Sequence, residues 1–205
     1  MDCFDKIFVV SLDNEVGRAR MVVTDAHFKE NEIEYELWDA TENNNGAIGL
    51  LWSMKRLFVH CIKMDYQNVV VFEDDARMVV PFWPFIKEVW PQVKPDYHCL
   101  LLGCNLLSDP VKESANILRV KSSYATHAIV YSMEAMKLIL TLLEKDLTQP
   151  PYDILLMSGL QPLGKCYCTY PMLCLQRPGY SSIEKGEKDW GKTATFTYNA
   201  HTFKL

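Results

Sequence analysis

The sequence predicts an α/β protein in which a mostly parallel sheet lies between helices, and two observations indicate this. Through the first hundred residues, short apolar runs rich in β-branched residues alternate with segments of helical periodicity. That alternation is typical of strand–helix–strand units, whose strands become parallel neighbours. The chain also has 205 residues, 49% of them hydrophobic, which is enough for one well-buried core. No repeat or boundary interrupts it, so residues 1–205 are expected to form a single domain.

The elements follow from the apolar spacing, taken in chain order. Residues 7–12 form an apolar run that predicts a central strand, and Asp13 or Asn14 is expected to cap the helix that follows. In that helix, Val16, Val22 and Val23 lie on the expected apolar face. Further strands are predicted at 35–39, 69–72, 98–102, 117–121, 125–131, 166–170 and 172–175. Further helices are predicted at 50–62, around 85–90, at 133–144 and from 152. Residues 103–116 are expected to form a loop, and a polar tail is expected from about 177, with Trp190 and Phe196 as anchors.

Composition and charge exclude several classes of protein. The net charge is −5 and no basic run exists, so no nucleic-acid partner is expected. The first twelve residues are too short and too acidic for a secretory signal, and no apolar stretch approaches the roughly 20 residues of a transmembrane segment. The seven cysteines are odd in number and lie mostly in apolar segments. This favours buried, reduced thiols in a cytoplasmic protein over a disulfide framework.

The most informative stretch is the apolar run at 69–72, which is followed at once by Glu73, Asp74 and Asp75. Like charges this close repel, and one carboxylate takes up a proton unless a cation intervenes. Carboxylate oxygens suit Mn²⁺ or Mg²⁺, which usually bind one or two protein carboxylates together with substrate phosphates. The strand end therefore indicates a metal–diphosphate site, and the alternative is a solvated acidic turn. In parallel sheets ligands bind at the carboxyl ends of the strands. The predicted strands that end at 12–13 and at 39–40 should place those ends at the same edge of the sheet as the acidic cluster.

Seven stretches, in order along the chain, resemble glycosyltransferase family 25, the enzymes of lipooligosaccharide galactosyl transfer and of collagen hydroxylysine galactosylation. The stretch at 71–76 resembles the family's Glu-Asp-Asp signature. The others are 7–13 (IFVVSLD) with Arg18, 38–40 (WDA), 46–53 (GAIGLLWS), 123–132 (SYATHAIVYS), 151–153 (PYD), and 171–183 with Pro171, Gln176 and Tyr180. The sequence departs from the family at two places. Ser53-Met54 stands where the family has Ser-His, and Ser181-Ser182-Ile183 stands where the family has Ser-Asp-Ile.

The resemblance implies a GT-A fold, a Rossmann-like sheet that binds a nucleotide-sugar with Mn²⁺ or Mg²⁺. It further implies an inverting transfer of a hexose, typically galactose from a UDP-sugar, to a glycan or hydroxylated acceptor. Such a reaction needs a metal to neutralise the leaving diphosphate and a carboxylate base to accept the acceptor's proton.

Matching the family's motifs gives candidate roles. The metal is assigned to Glu73 and Asp75, and the base to Asp153, whose alternative role is to cap its helix. Donor contacts are expected from Leu12, Asp13, Arg18, Asp39, Ala40, Gly49, Ser53, Asp74 and Gln176. For most of these the alternative is structural: Arg18 as a solvated helix residue, Asp39 as a strand-end turn, Ser53 as a helix-surface serine, and Gln176 as a buried amide bonded to backbone.

Two other functions stay open at the level of sequence. The missing histidine is compatible with a relative that binds nucleotide-sugars or glycans without turnover. The acidic cluster is also compatible with a metal-dependent phosphohydrolase, although no Asp-x-Asp pair precedes a threonine.

Overall fold

The computed structural model describes residues 3–145, 150–181, 186–189 and 198–199. The helices are α1 (Glu15–Glu30), α2 (Gly46–Lys63), α3 (Phe82–Val89), α4 (Met133–Lys145) and α5 (Tyr152–Leu155), which continues through a π turn (Leu156–Leu160). The strands are β1 (Lys6–Ser11), β2 (Glu36–Asp39), β3 (Asn68–Glu73), β4 (Ala76–Met78), β5 (Cys99–Leu101), β6 (Asn105–Leu106), β7 (Val111–Lys112), β8 (Ile117–Arg119), β9 (Ser123–Tyr124), β10 (Ala128–Ser132), β11 (Cys166–Thr169), β12 (Cys174–Gln176), β13 (Gly179–Ser181), β14 (Gly186–Lys188) and β15 (Tyr198–Asn199).

Eight strands form the central sheet, in the order β2-β1-β3-β10-β5-β11-β8-β7. β1 pairs in parallel with β2 and β3, and β5 pairs in parallel with β11. β10 is antiparallel to β3 and β5, and β8 is antiparallel to β11 and β7. All the strands except β10 and β8 therefore point the same way, which confirms the predicted mostly parallel sheet.

Helices cover both faces of this sheet. α2 and α4 pack on one face, where Phe58 and Met136 join a core with Phe8, Val71 and Tyr131 of the strands. α1 and α3 pack on the other, where Phe28 and Ile86 join Val9, Val70 and Phe72. The strands are buried on both sides, which explains why their sequences are continuous apolar runs rather than alternating ones.

The apolar face predicted for α2 is confirmed, because Leu51, Met54, Leu57 and Phe58 are all buried. The face predicted for α1 is wrong. Val22 and Val23 are 73% and 54% exposed, and Val16 is also exposed.

The inward face of α1 consists of Gly17, Thr24 and Phe28 instead. It is partly polar because it meets the acidic turn after β3, where Thr24 Oγ1 donates to the carbonyl of Asp74 (2.6 Å). At the start of the helix, a Cβ on Gly17 would lie 1.9 Å from the carbonyl oxygen of Leu12, so only glycine fits there. Asn14 caps the helix, as expected, by accepting from Gly17 N (3.0 Å).

Polar segments differ most from the sequence-based expectation. The predicted loop at 103–116 contains β6 and β7, and the predicted tail contains the β13–β14 hairpin. These strands pair through backbone groups and lack the apolar pattern that marks a buried strand. Trp190 and Phe196 lie outside the described residues.

Two further expectations concern membrane segments and cysteines. Over the residues that the structure describes, no helix has the length and apolarity needed to cross a bilayer. All seven cysteines lie in the described part, and each is a buried thiol, as predicted. Burial raises the pKa of the Cys61 thiol to about 12.

Candidate functional site

A cleft of about 410 Å³ opens at the carboxyl edge of β1, β2 and β3. Its volume lies within the range of small-molecule sites, which is roughly 300–1,000 Å³. Four segments form it: the end of β1 with the start of α1, the loop after β2, the acidic turn after β3, and the segment that runs from the end of β12 into β13. The residues that line it include Ser11, Leu12, Asn14, Arg20, Ala40, Thr41, Asn43, Asn44, Glu73, Asp74, Asp75, Gln176, Arg177 and Tyr180.

Asp74 is the buried centre of the acidic turn, and only 6% of it is exposed. Its carboxylate accepts from Ser11 Oγ and from Arg20 Nη1, both at 2.8 Å. Burial raises the pKa of Asp74, while the Arg20 charge and the Ser11 hydrogen bond oppose that rise. Because both carboxylate oxygens are engaged by protein donors, Asp74 connects β1, β3 and α1 at the bottom of the cleft.

Glu73 and Asp75, the two predicted metal ligands, are half-buried and satisfied only in part. Thr126 Oγ1 donates to Glu73 Oε1 (2.6 Å), and Gln176 Nε2 donates to Asp75 Oδ2 (2.9 Å). Asp75 Oδ1 is buried and has no hydrogen-bond partner in the described part of the chain. Burial, followed by the charge of Asp75, raises the pKa of Glu73 to about 8. Burial also raises the pKa of Asp75, against the hydrogen bond from Gln176.

These properties fit a divalent cation held by two protein carboxylates. A buried carboxylate oxygen without a donor and two carboxyls with raised pKa values all gain from a nearby positive charge. The described residues contain no group of three or more His, Cys, Asp or Glu that is arranged to hold a metal. A cation there would therefore depend on substrate oxygens for the rest of its shell, as Mg²⁺ and Mn²⁺ commonly do.

Arg20 and Arg177 also line the cleft, and sequence reasoning missed both. Arg20 Nη2 donates to the carbonyl of Tyr180, in addition to the bond from Nη1 to Asp74. Arg177 Nη2 donates to the carbonyl of Asp74 (2.6 Å) and to Thr24 Oγ1. The available signals were weak: Arg20 shares a helical face with Thr24, and Arg177 directly follows Gln176.

Six of the sequence-predicted residues come together in the cleft. They are Leu12, Ala40, Glu73, Asp74, Asp75 and Gln176. Ala40 is held at the end of β1 by a hydrogen bond from its N–H to the carbonyl of Ser11 (2.8 Å).

The other predicted donor contacts lie outside the cleft lining. Asp13 and Arg18 form an exposed salt bridge with each other at 2.8 Å. Asp39 ends β2 on the surface, where Arg56 Nη1 donates to its carbonyl at 3.4 Å.

Gly49 and Ser53 of α2 contact the loop after β2, which lines the cleft. Ser53 is fully buried, donates to the carbonyl of Gly49 and accepts from Thr41 N, both at 2.7 Å. A Cβ on Gly49 would lie 2.6 Å from the carbonyl oxygen of Thr41. The two residues therefore hold the loop after β2 against α2, one by hydrogen bonds and the other by close approach.

Asp153, the predicted base, lies at the start of α5 and does not line the cleft. Its charge nevertheless contributes to the raised pKa of Glu73, after burial and the charges of Asp75 and Asp74. The preceding residue, Tyr152, is buried and donates from its hydroxyl to that of Tyr131 (3.0 Å), which fixes this end of α5 on β10.

Solved structures of similar fold include A197 from STIV, with a TM-score of 0.50 and 12% identity over 88% of this chain and 91% of that one. They also include a glycosyltransferase involved in the glycosylation of the major capsid of PBCV-1, with a TM-score of 0.49, 9% identity and coverage of 80% and 81%. Mannose-1-phosphate geranyltransferase from Thermus thermophilus has a TM-score of 0.46, 9% identity and coverage of 80% and 73%. At these identities the likeness concerns the fold alone.

No protein-family model matches the sequence, and a comparison with curated proteins found no match. The resemblance to glycosyltransferase family 25 therefore has no support at the family level and stays a hypothesis. The predicted fold class, α/β with a mostly parallel sheet between helices, agrees with the strand order and directions of the structure.

Proposed function

We propose that this protein is a metal-dependent glycosyltransferase that uses a nucleotide-sugar. By the resemblance, the donor is a UDP-hexose, UDP-galactose first, and the acceptor is a glycan or another hydroxylated molecule, with inversion at the anomeric carbon. The observation that carries the proposal is the placement of Glu73 and Asp75 in a cleft at the carboxyl edge of parallel strands, where Asp75 Oδ1 has no hydrogen-bond partner among the described residues. This edge is where α/β sheets bind nucleotides.

On the donor side, Glu73 and Asp75 would hold Mn²⁺ or Mg²⁺. The cation would act as a Lewis acid that neutralises the departing diphosphate. Without it, a diphosphate entering this cleft would meet three carboxyl groups, one of which is already paired with Arg20. Gln176 keeps Asp75 in place through its hydrogen bond, and Thr126 does the same for Glu73.

On the acceptor side, Asp153 is proposed as the base that accepts the proton of the attacking hydroxyl. The contribution of its charge to the raised pKa of Glu73 supports this role. The buried Tyr152–Tyr131 hydrogen bond keeps the start of α5 fixed relative to the sheet.

Isothermal titration of UDP with and without Mn²⁺ tests the donor site. We expect Mn²⁺ to strengthen UDP binding in the unmodified protein, and we expect Asp75→Asn to abolish that strengthening. Asp96→Asn is a matched control, since Asp96 is an exposed aspartate that pairs with Lys165 at 3.2 Å. UDP binding that is absent, or that is unaffected by Mn²⁺, would overturn the proposed metal-dependent reaction.

Turnover is tested separately by screening UDP-hexoses for hydrolysis and transfer. We expect Asp153→Asn to lower kcat by roughly 10²-fold or more while UDP affinity is retained. Metal-dependent UDP binding with no turnover of any donor would instead identify a nucleotide-sugar-binding relative without catalysis.

A further inference from the structure

Two arginines from distant parts of the chain lie together on one wall of the cleft. Arg20 comes from α1 and Arg177 from the segment between β12 and β13, and both are held by Asp74. Arg177 Nη2 also lies 3.4 Å from the carbonyl of Arg20, so the second arginine is seated directly on the helix turn that carries the first. Hydrogen bonds to other elements therefore hold both guanidinium groups in defined positions.

Their hydrogen bonds leave donors for a ligand. A guanidinium has five N–H donors in a planar fork. Every hydrogen bond from the Arg177 guanidinium to another described residue comes from Nη2, and within the described part of the chain neither Nη1 nor Nε has a protein acceptor. Arg20 is more fully used, with Nη1 on Asp74 and Nη2 on Tyr180. Arg177 thus has the open edge, and Arg20 fixes the surrounding strand and helix.

Arg177 lies close in the chain to a residue that engages one of the proposed metal ligands. Arg177 is next to Gln176, whose side chain donates to the proposed metal ligand Asp75. Arg177 and Asp75 line the same cleft, and the Arg177 charge opposes the rise in the pKa of Asp75. A phosphate that contacts a cation at Asp75 would therefore lie within the influence of the Arg177 guanidinium. Planar guanidinium groups bind phosphate oxygens in bidentate fashion, which a point charge does not reproduce.

We propose that Arg177 binds the terminal phosphate of a nucleoside diphosphate, and that Arg20 is a positioning residue that holds the Arg177 segment through Asp74 and Tyr180. This assignment rests on the proposed function, because it deepens the donor site described above. Its consequence is that Arg177 makes the protein prefer a diphosphate over a monophosphate.

The test is calorimetric titration of the whole protein, in the presence of Mn²⁺, with four probes: UDP, UMP, uridine and inorganic pyrophosphate. We expect the unmodified protein to bind UDP at least 10-fold more tightly than UMP. Arg177→Gln is expected to remove that preference, lowering UDP and pyrophosphate affinity by 10- to 100-fold and leaving UMP and uridine unchanged. Arg177→Lys should recover part of the loss. Arg119→Gln, which removes an arginine paired with Glu113 at 2.7 Å outside the cleft lining, should behave as unmodified protein.

The outcomes separate this inference from the function on which it rests. Pyrophosphate binding that depends on Arg177, in a protein that does not bind UDP, would support the phosphate site and overturn the nucleotide-sugar function. An equal loss for UDP, UMP and uridine in both Arg177 variants, or no loss in Arg177→Gln, would overturn the assignment. Thermal melts of each variant show whether an equal loss comes from unfolding.

Discussion

Glu73 is expected to lower the stability of the metal-free protein at neutral pH, and replacing it should reveal by how much. Burial raises its pKa from the ordinary value of 4.5 to about 8 in the folded protein. An acid whose pKa is higher in the folded state binds its proton more tightly there. Its stabilising effect is therefore complete below about pH 4.5 and is lost as pH rises toward 8. Glu73→Gln removes this dependence and preserves an acceptor for Thr126 Oγ1.

The magnitude follows from the pKa difference. Between the unfolded and folded pKa values, one such group costs about 1.4 kcal/mol of unfolding free energy per pH unit. From pH 4.5 to pH 7 this gives a cost of about 3 kcal/mol as an upper bound, because the nearby charge of Asp75 contributes to the shift and adjusts when Glu73 is replaced. We therefore expect Glu73→Gln to be more stable than the unmodified protein by about 1 to 3 kcal/mol at pH 7, and the difference to shrink near pH 5.

Urea unfolding at pH 5, 7 and 8.5, with a chelator present, measures this directly. The same series with Mn²⁺ adds a second arm: the cation should stabilise the unmodified protein and not the variant, since a ligand that binds only the folded state raises its stability. Equal stability of the two proteins at every pH would show that the pKa of Glu73 is not raised in the folded protein, and the reasoning would fail.

Two further predictions concern the cleft loop and the cysteines. Gly49→Ala should destabilise the protein by about 1–3 kcal/mol in urea unfolding and weaken UDP binding, because the new Cβ would displace Thr41; Gly186→Ala, where the Cβ meets nothing within 4 Å, should change neither. Iodoacetamide at pH 8 should modify all seven cysteines in urea and far fewer in the native protein, since burial raises the pKa of Cys61 to about 12; rapid native labelling would contradict this.

The sequence predicts best those elements whose apolar pattern is determined by burial alone. β3 is apolar because both its faces are buried, and α2 is amphipathic because one face meets the core. α1 was predicted with the wrong face because its inward side serves a polar contact. Thr24 faces Asp74, and the valines of α1 are exposed to solvent. The apolar periodicity of this helix therefore indicates its exposed face rather than its buried one. The antiparallel insertion of β10 was also not readable, because its sequence has the same apolar character as a parallel strand.

The candidate site was predictable where it is local in sequence. Glu73, Asp74 and Asp75 are consecutive, so their shared position needed no knowledge of the fold. Arg20 and Arg177 reach Asp74 from 54 and 103 residues away, and no spacing rule links them to it. Motif matching alone led to the wrong arginine of α1. It selected Arg18, which pairs with Asp13 on the surface, whereas Arg20, two positions later, lines the cleft.

One wall of the cleft comes from Gln176, Arg177 and Tyr180, far along the chain from the β1 and β3 ends that form its floor. During translation the ribosome therefore delivers the floor long before this wall exists. A growing chain that has not yet reached Gln176 already has Ser11 and Arg20 to engage the Asp74 carboxylate, but it lacks the amide that donates to Asp75. A ligand that needs this wall would therefore be bound only by chains whose synthesis has gone beyond Tyr180.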